Sequence, residues 1–252
     1  LTERGLMTTG QETGLDRRKF EAEHPNDLWQ SDVMHGPKVL VDGTRRKSYL
    51  IAFIDDHSRL VPYAAFYLSE NVAAFLDAFE KAMLKRGLPR KLYVDNGAAY
   101  RSRHLEHVCA SLAIALIHAK AYQPQGKGKI ERAFRTVRAQ FLPTVGTDPS
   151  LEELNEAFAR WLATYHQRPH RATLTTPLER FAKAIECLRN PPDNLRDHFR
   201  TVVRRTVGKD RTVTINGRLF EAPVRLIGKR IDLLFHKDQP QQVEARFQNQ
   251  TY

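Results

Sequence analysis

Leu28-Trp29-Gln30-Ser31-Asp32-Val33 is a short apolar run of strand character that carries a carboxylate, Asp32, near its end. Working outward, Lys91-Leu92-Tyr93-Val94-Asp95-Asn96-Gly97 repeats the theme: a strand runs into a turn signal and sets Asp95 at the junction. A third acid, Glu131, opens a helical stretch just after the loop Tyr122-Gln123-Pro124-Gln125-Gly126-Lys127-Gly128-Lys129, and 35 residues lie between it and Asp95. Three carboxylates with no His or Cys companion suit a hard divalent cation such as Mg²⁺ or Mn²⁺, which prefers oxygen ligands.

The surrounding pattern predicts an α/β unit. Strands are expected over 28–34, 47–55 and 60–68, divided by the turn signals Asp42-Gly43 and Asp56-His57-Ser58, which suits an antiparallel meander. Asn71 can cap a helix with Val72, Phe75, Phe79, Ala82 and Met83 on its apolar face, ending at Gly87. Strand 91–95, helix 102–112 and strand 114–118 then alternate. Beyond Glu131, Ser150 with Glu153 and Thr176 with Glu179 read as capping boxes opening two more helices. After Pro191-Pro192 the pattern changes: Val213/Ile215, Asn216-Gly217 and Leu219-Phe220 read as a tight hairpin. Ile231/Leu233/Phe235 and Val243/Ala245/Phe247 alternate with polar residues. Four short strands are one fewer than a self-closing barrel usually needs, so this unit is either cut short or completed by another element.

The acids and their flanks resemble the catalytic core of the retroviral integrase and bacterial transposase superfamily, with its D,D-35-E pattern. The flanks are Pro25-Asn26-x-x-Trp29-x-x-Asp32, Ile54-Asp55-Asp56-His57-Ser58-Arg59, Asp95-Asn96-Gly97 and Gln123-Pro124-Gln125-Gly126-x-Gly128-Lys129-Ile130-Glu131-Arg132. Tyr165-x-x-Arg168-Pro169-His170 with Thr176-Pro177-x-Glu179 is similar to the segment closing many insertion-sequence transposase cores, and the last strands to the C-terminal domain of Mu-like transposases. The resemblance implies an RNase H-like α/β core with a mixed five-stranded sheet, followed by a small β-barrel. It implies a DDE-type enzyme that nicks DNA at element ends and transfers the freed 3′-hydroxyl into target DNA. It assigns two metal ions to Asp32, Asp95 and Glu131: the first Asp bridges both ions, the second Asp binds one and the Glu the other. Double-stranded DNA and a homo-oligomer on DNA are the implied partners, and a separate ATPase helper protein is compatible with it. Asp55 and Asp56 are expected in a structural turn, and Asn96 is a candidate for a hydrogen bond near metal or DNA.

The domains expected are a linker over 1–24, the core with its C-terminal helices over 25–190, and the β-barrel over 199–252. The polar opening from Leu1 reads as the start of an excised fragment that lacks an N-terminal DNA-binding region. A net charge of +11 and a pI near 9.8 point to a polyanionic partner. Residues 120–140 hold six Lys and Arg against one acid, Glu131, and residues 199–252 hold 11 against 5. Candidate phosphate contacts are therefore Lys127, Lys129, Arg132, Arg135 and Arg138 beside Glu131, and Arg204, Arg205, Lys209, Arg211, Lys229 and Arg230 near the C-terminus. On a helix, 131, 135 and 138 share a face. Cys109 and Cys187 lack partners at zinc spacing and read as reduced core residues of a cytoplasmic, nucleoid-associated protein. No P-loop, membrane span or signal-peptide pattern is present. Two other readings fit the same acids: a metal-dependent nuclease that hydrolyses without joining, and a catalytically silent DNA-binding or target-selection protein.

Overall fold

The computed structural model describes residues 21–97, 100–119, 127–236, 239–248 and 250–252. Its first half is a five-stranded mixed sheet in the order β3-β2-β1-β4-β5. Strands β1 (Trp29–Val41), β2 (Thr44–Asp55) and β3 (Ala64–Tyr67) form the expected antiparallel meander. Asp42 (φ 47°) and Gly43 (φ 73°) turn the first hairpin, and Asn216 (φ 48°) with Gly217 (φ 77°) turn a later one. Two successive left-handed residues match the right-handed twist of the flanking strands, and Asp, Asn and Gly tolerate them best. Helix α1 (Val72–Arg86) is capped by Asn71 and stopped at Gly87, as its sequence predicts. It crosses to β4 (Lys91–Val94), which pairs parallel with β1, and α2 (Arg103–Ser111) leads to β5 (Ala115–His118), parallel with β4.

Strand β2 shows why the sheet sits where it does. Ile51 and Phe53 face one helical layer, where they join Trp29, Phe75, Phe79 and Leu92. Leu50, Ala52 and Ile54 face the other, among Met34, Phe66, Ile130, Phe134 and Phe158. Successive side chains of a strand point to opposite faces, so an unbroken apolar run signals burial on both. The second layer is supplied by α3 (Gly128–Thr136) and α4 (Leu151–Gln167), with the short α5 (Pro177–Ala182) following. Helix α3 runs into a π-helical stretch at Val137–Phe141, and both capping boxes form: Ser150/Glu153 on α4 and Thr176/Glu179 on α5.

A 3₁₀ turn at Leu195–Phe199 packs Leu195 and Phe199 into the first core and delivers the chain to a small β domain. There β6 (Thr201–Thr206), β9 (Arg230–His236), β10 (Gln239–Phe247) and β11 (Gln250–Thr251) form a sheet ordered β11-β10-β9-β6. The hairpin of β7 (Thr212–Ile215) and β8 (Arg218–Glu221) shares its apolar core, in which Val213, Ile215, Ile231, Leu233 and Phe235 are buried. Strand β6 supplies the extra element that the sequence pattern required. Among the described residues the hydrogen bonding runs in two sheets around one core rather than one closed ring.

The expected linker is structured where it is described. The Ala22 N–H donates to Asp56 at 2.7 Å, and Glu21 pairs with Arg59 at 2.9 Å and with Arg180. No helix among the described residues is long and apolar enough to cross a membrane.

Candidate active site

The parallel pairing of β1 with β4 sets Gln30 opposite Tyr93, so two residues further on Asp32, still within β1, lies beside Asp95, just past the end of β4. Both carboxylates converge on one cation: the Lys127 Nζ lies 3.3 Å from Asp32 Oδ1 and 3.4 Å from Asp95 Oδ2. Burial pushes the Asp32 carboxyl above the ordinary aspartate range; the Lys127 ammonium and the Val33 N–H, 2.9 Å from Oδ1, pull it back, and Asp95 adds to the rise. The Gly97 N–H, at 2.8 Å, holds the Asp95 side chain in its turn. Tyr100 is 4% exposed, and burial with the charges of Asp32 and Asp95 suppresses its ionisation.

Glu131 lies one turn into α3, its N–H donating to the Lys127 carbonyl at 3.2 Å. Its side chain is exposed, and among the described residues no three His, Cys, Asp or Glu side chains form a metal-holding group. The structure thus brings Asp32 and Asp95 together and carries Glu131 on the helix that starts at the bridging lysine. Two carboxylates gathered on a single positive charge, in a donor set made only of oxygen, fit a hard divalent ion.

The flanking motif residues form the mount for these acids. Asn26 (φ 63°) donates its N–H to Asp55 at 2.8 Å and its amide to the Arg86 carbonyl at 2.7 Å, while accepting the Trp29 indole N–H at 2.8 Å. That pins the start of β1 three residues before Asp32. Asp55 also accepts the Ser58 N–H and hydroxyl at 2.7 and 2.5 Å, and burial raises its pKa against those donors. Asp56 is fully buried and accepts the Gln30 amide at 2.8 Å together with Lys129. The other end of the Gln30 amide accepts the Ile130 N–H at 3.3 Å. Gln30, Asp56 and Lys129 therefore fasten the first turn of α3 to β1. The acids at 55 and 56 are turn and anchor residues, as their sequence context suggests.

Of the candidate phosphate contacts, Lys127 and Lys129 point inward, because Asp32, Asp95 and Asp56 are the nearest anions. Arg132, Arg135 and Arg138 are exposed along α3 and its π-helical continuation. In the small β domain, Arg204 forms a two-pronged pair with Asp232 at 2.6 and 3.1 Å, and Arg211 pairs with Glu221 at 2.8 Å. The Arg205 guanidinium donates to the Arg204 carbonyl at 3.0 Å; Lys209, Lys229 and Arg230 are exposed. Asn96 reaches away from the acids to the Ala119 carbonyl at 2.6 Å, tying the end of β4 to that of β5. Lys120 lies outside the described residues. The roles of Lys127, Lys129, Gln30 and Tyr100 were hidden in sequence, since each depends on partners distant along the chain.

The Integrase core domain family matches this chain twice, over residues 22–124 and 112–176. The transposase for transposon Tn552 of Staphylococcus aureus is 30% identical over 188 residues, covering 64% of this chain and 38% of that protein. The magnesium-bound catalytic core domain of HTLV-2 integrase superposes with a TM-score of 0.50 at 23% identity, over 64% of this chain and 99% of that one. A chain of the simian T-cell lymphotropic virus intasome in complex with a PP2A regulatory subunit gives 0.53 at 17% identity, over 92% of this chain and 80% of that one. The chain belongs to the DDE transposase/integrase superfamily. It spans under two fifths of the length of the Tn552 transposase.

Proposed function

We propose that this chain is the catalytic part of a transposase that nicks DNA at element ends and joins the freed 3′-hydroxyl to target DNA. The observation that carries the reading is the convergence on one cation of Asp32, within β1, and Asp95, just past the end of the adjacent parallel strand β4. Asp32, Asp95 and Glu131 would hold the divalent ions. When bound, such ions supply Lewis-acid stabilisation of charge on the attacking and leaving oxygens of a phosphoryl transfer.

The remaining work belongs to the chain. The Asn26–Trp29 and Gln30–Asp56–Lys129 contacts hold the carboxylates in place before substrate arrives, so little reorganisation remains for the reaction itself. Lys127 offsets the mutual repulsion of the two neighbouring carboxylates. Exposed Arg132, Arg135 and Arg138 next to Glu131 draw in the DNA backbone, and Arg205, Lys209, Lys229 and Arg230 add contacts from the region 199–252, which we assign as a separate DNA-binding unit after a core over 25–190. Joining two element ends calls for an oligomer on DNA, which the trimeric form of the HTLV-2 integrase catalytic core domain and the simian intasome support by analogy.

The test is incubation with labelled element ends, a target plasmid and Mg²⁺. Nicked and joined products are expected from the unaltered protein, and neither from Asp32→Asn, Asp95→Asn or Glu131→Gln with unchanged melting temperature. Near-normal activity of Asp95→Asn with unaltered metal dependence would refute the site. Nicking without any joined product would select the hydrolytic nuclease instead.

A further inference from the structure

A groove of about 830 Å³ opens along the flank of α3 formed by Arg132, Thr136 and Gln140, against the loop that follows α4. Arg132 and Gln140 line one wall, Tyr165 sits in it, and Arg168, His170 and Arg171 line the other. No acidic side chain lines it. The three arginines are exposed and make no ion pair with a carboxylate among the described residues. Three uncompensated guanidiniums facing one concavity repel one another, and an anion relieves that repulsion.

The far wall is held by hydrogen bonds of its own. His170 donates its N–H to the Thr175 carbonyl at 2.9 Å, and its own carbonyl accepts Thr173 and Leu174 N–H groups at 3.0 and 2.8 Å. The His170 ring accepts the Ala172 N–H at 3.2 Å, and Thr176 immediately caps α5. Arg168 and Arg171 thus project from a self-bonded loop clamped between two helices. The near wall is the flank of α3 that carries Arg132, Thr136 and Gln140; Arg132 follows Glu131 in sequence but points about 100° away from it around the helix. Arg135 and Arg138, by contrast, do not line the groove.

We infer that this groove binds the phosphodiester backbone of duplex DNA where it passes beyond the Glu131 face of α3, with Arg132 on one side and Arg168 and Arg171 on the other. The inference rests on the proposed function and adds a specific path for the DNA. It also gives the Arg168-Pro169-His170 segment a job in substrate binding. Guanidiniums suit this task because their planar fork grips phosphate oxygens two at a time.

The test compares Arg168→Gln/Arg171→Gln with Arg46→Gln/Lys47→Gln, two exposed cations of β2 that do not line the groove, so that both variants remove equal charge, using a short mixed-sequence duplex over a series of salt concentrations. Circular dichroism melts check folding first. The groove variant should bind about tenfold more weakly, and its log–log salt slope should shrink by roughly one unit per lost phosphate contact. The control variant should lose clearly less. Equal losses in both variants, or an unchanged slope in the groove variant, would overturn the inference. A groove-specific loss of single-strand binding with duplex binding unchanged would also overturn it. Failure of nicking with a normal, groove-dependent salt slope would instead sink the catalytic reading and leave the groove standing.

Discussion

His166 sits in α4 with 6% of its surface exposed, and its Nε2 accepts the Val61 N–H at 3.1 Å. Accepting that bond requires an unprotonated nitrogen. Burial, reinforced by Arg86 and Lys85, pulls its pKa from 6.5 down to about 4. Between those values the unfolded chain binds a proton that the folded chain refuses. The stability owed to the neutral ring is therefore complete above about pH 6.5, falls as pH drops, and is spent near pH 4. At about 1.4 kcal/mol per pH unit the whole window is worth roughly 3.4 kcal/mol, of which about 2 kcal/mol is gone by about pH 5. His166→Gln removes the titration while keeping an oxygen that can accept from Val61. Urea unfolding of both proteins at about pH 7.5 and pH 5 isolates this one group, because every other titration is shared. The unaltered protein should lose about 2 kcal/mol more than the variant over that interval. Parallel losses, within roughly 0.5 kcal/mol, would show that His166 is not held neutral by its surroundings.

Other expectations follow from the same contacts. Asp56→Asn should cost about 3–5 kcal/mol in denaturant unfolding, since Lys129 would be left without its buried counter-ion, and adding Lys129→Met should restore part of the loss; additive losses would refute the pairing. Lys127→Met should tighten Mn²⁺ binding by about tenfold or more in calorimetry, because the ammonium stands between Asp32 and Asp95; unchanged affinity would mean the lysine leaves at no cost. Gly36→Ala should destabilise by about 1–3 kcal/mol, because a Cβ there would lie 2.5 Å from the Ser48 hydroxyl and 2.7 Å from the Phe66 ring; an unaltered melting temperature would show that the irregular stretch of β1 yields freely.

Much of this architecture was legible because its causes are local. Asn71, Ser150/Glu153 and Thr176/Glu179 cap helices through atoms three residues apart, so the sequence carries the whole interaction. Asp42-Gly43 turns its hairpin for the same reason. Strand β6 was harder to see: Thr201-Val202-Val203-Arg204-Arg205-Thr206 leaves Val202 exposed and is made a strand by pairing with β9, nearly thirty residues away. The π-helical turn at Val137–Phe141 has no local signature. Asp32 and Asp95 were readable from their motifs, whereas Lys129 was misleading: a lysine in a basic loop looks solvated, yet its partner Asp56 lies 73 positions earlier.

That difference divides the positive charge into two populations. Lys127, Lys129, Arg59 and Arg180 sit on buried or half-buried carboxylates and hold β1, the Asp55–Arg59 turn, α3 and α5 in register. Arg132, Arg168 and Arg171 face open solvent with no such partner among the described residues. Charge alone cannot sort them, since all carry the same +1 and several are neighbours in sequence. Their responses to salt can. A cation held by a buried carboxylate is little screened and keeps its contribution at high ionic strength, whereas one that meets phosphates trades them for counterions. Neutralising the first group should therefore lower melting temperature at every salt concentration, and neutralising the second should leave melting intact while flattening the salt dependence of DNA binding.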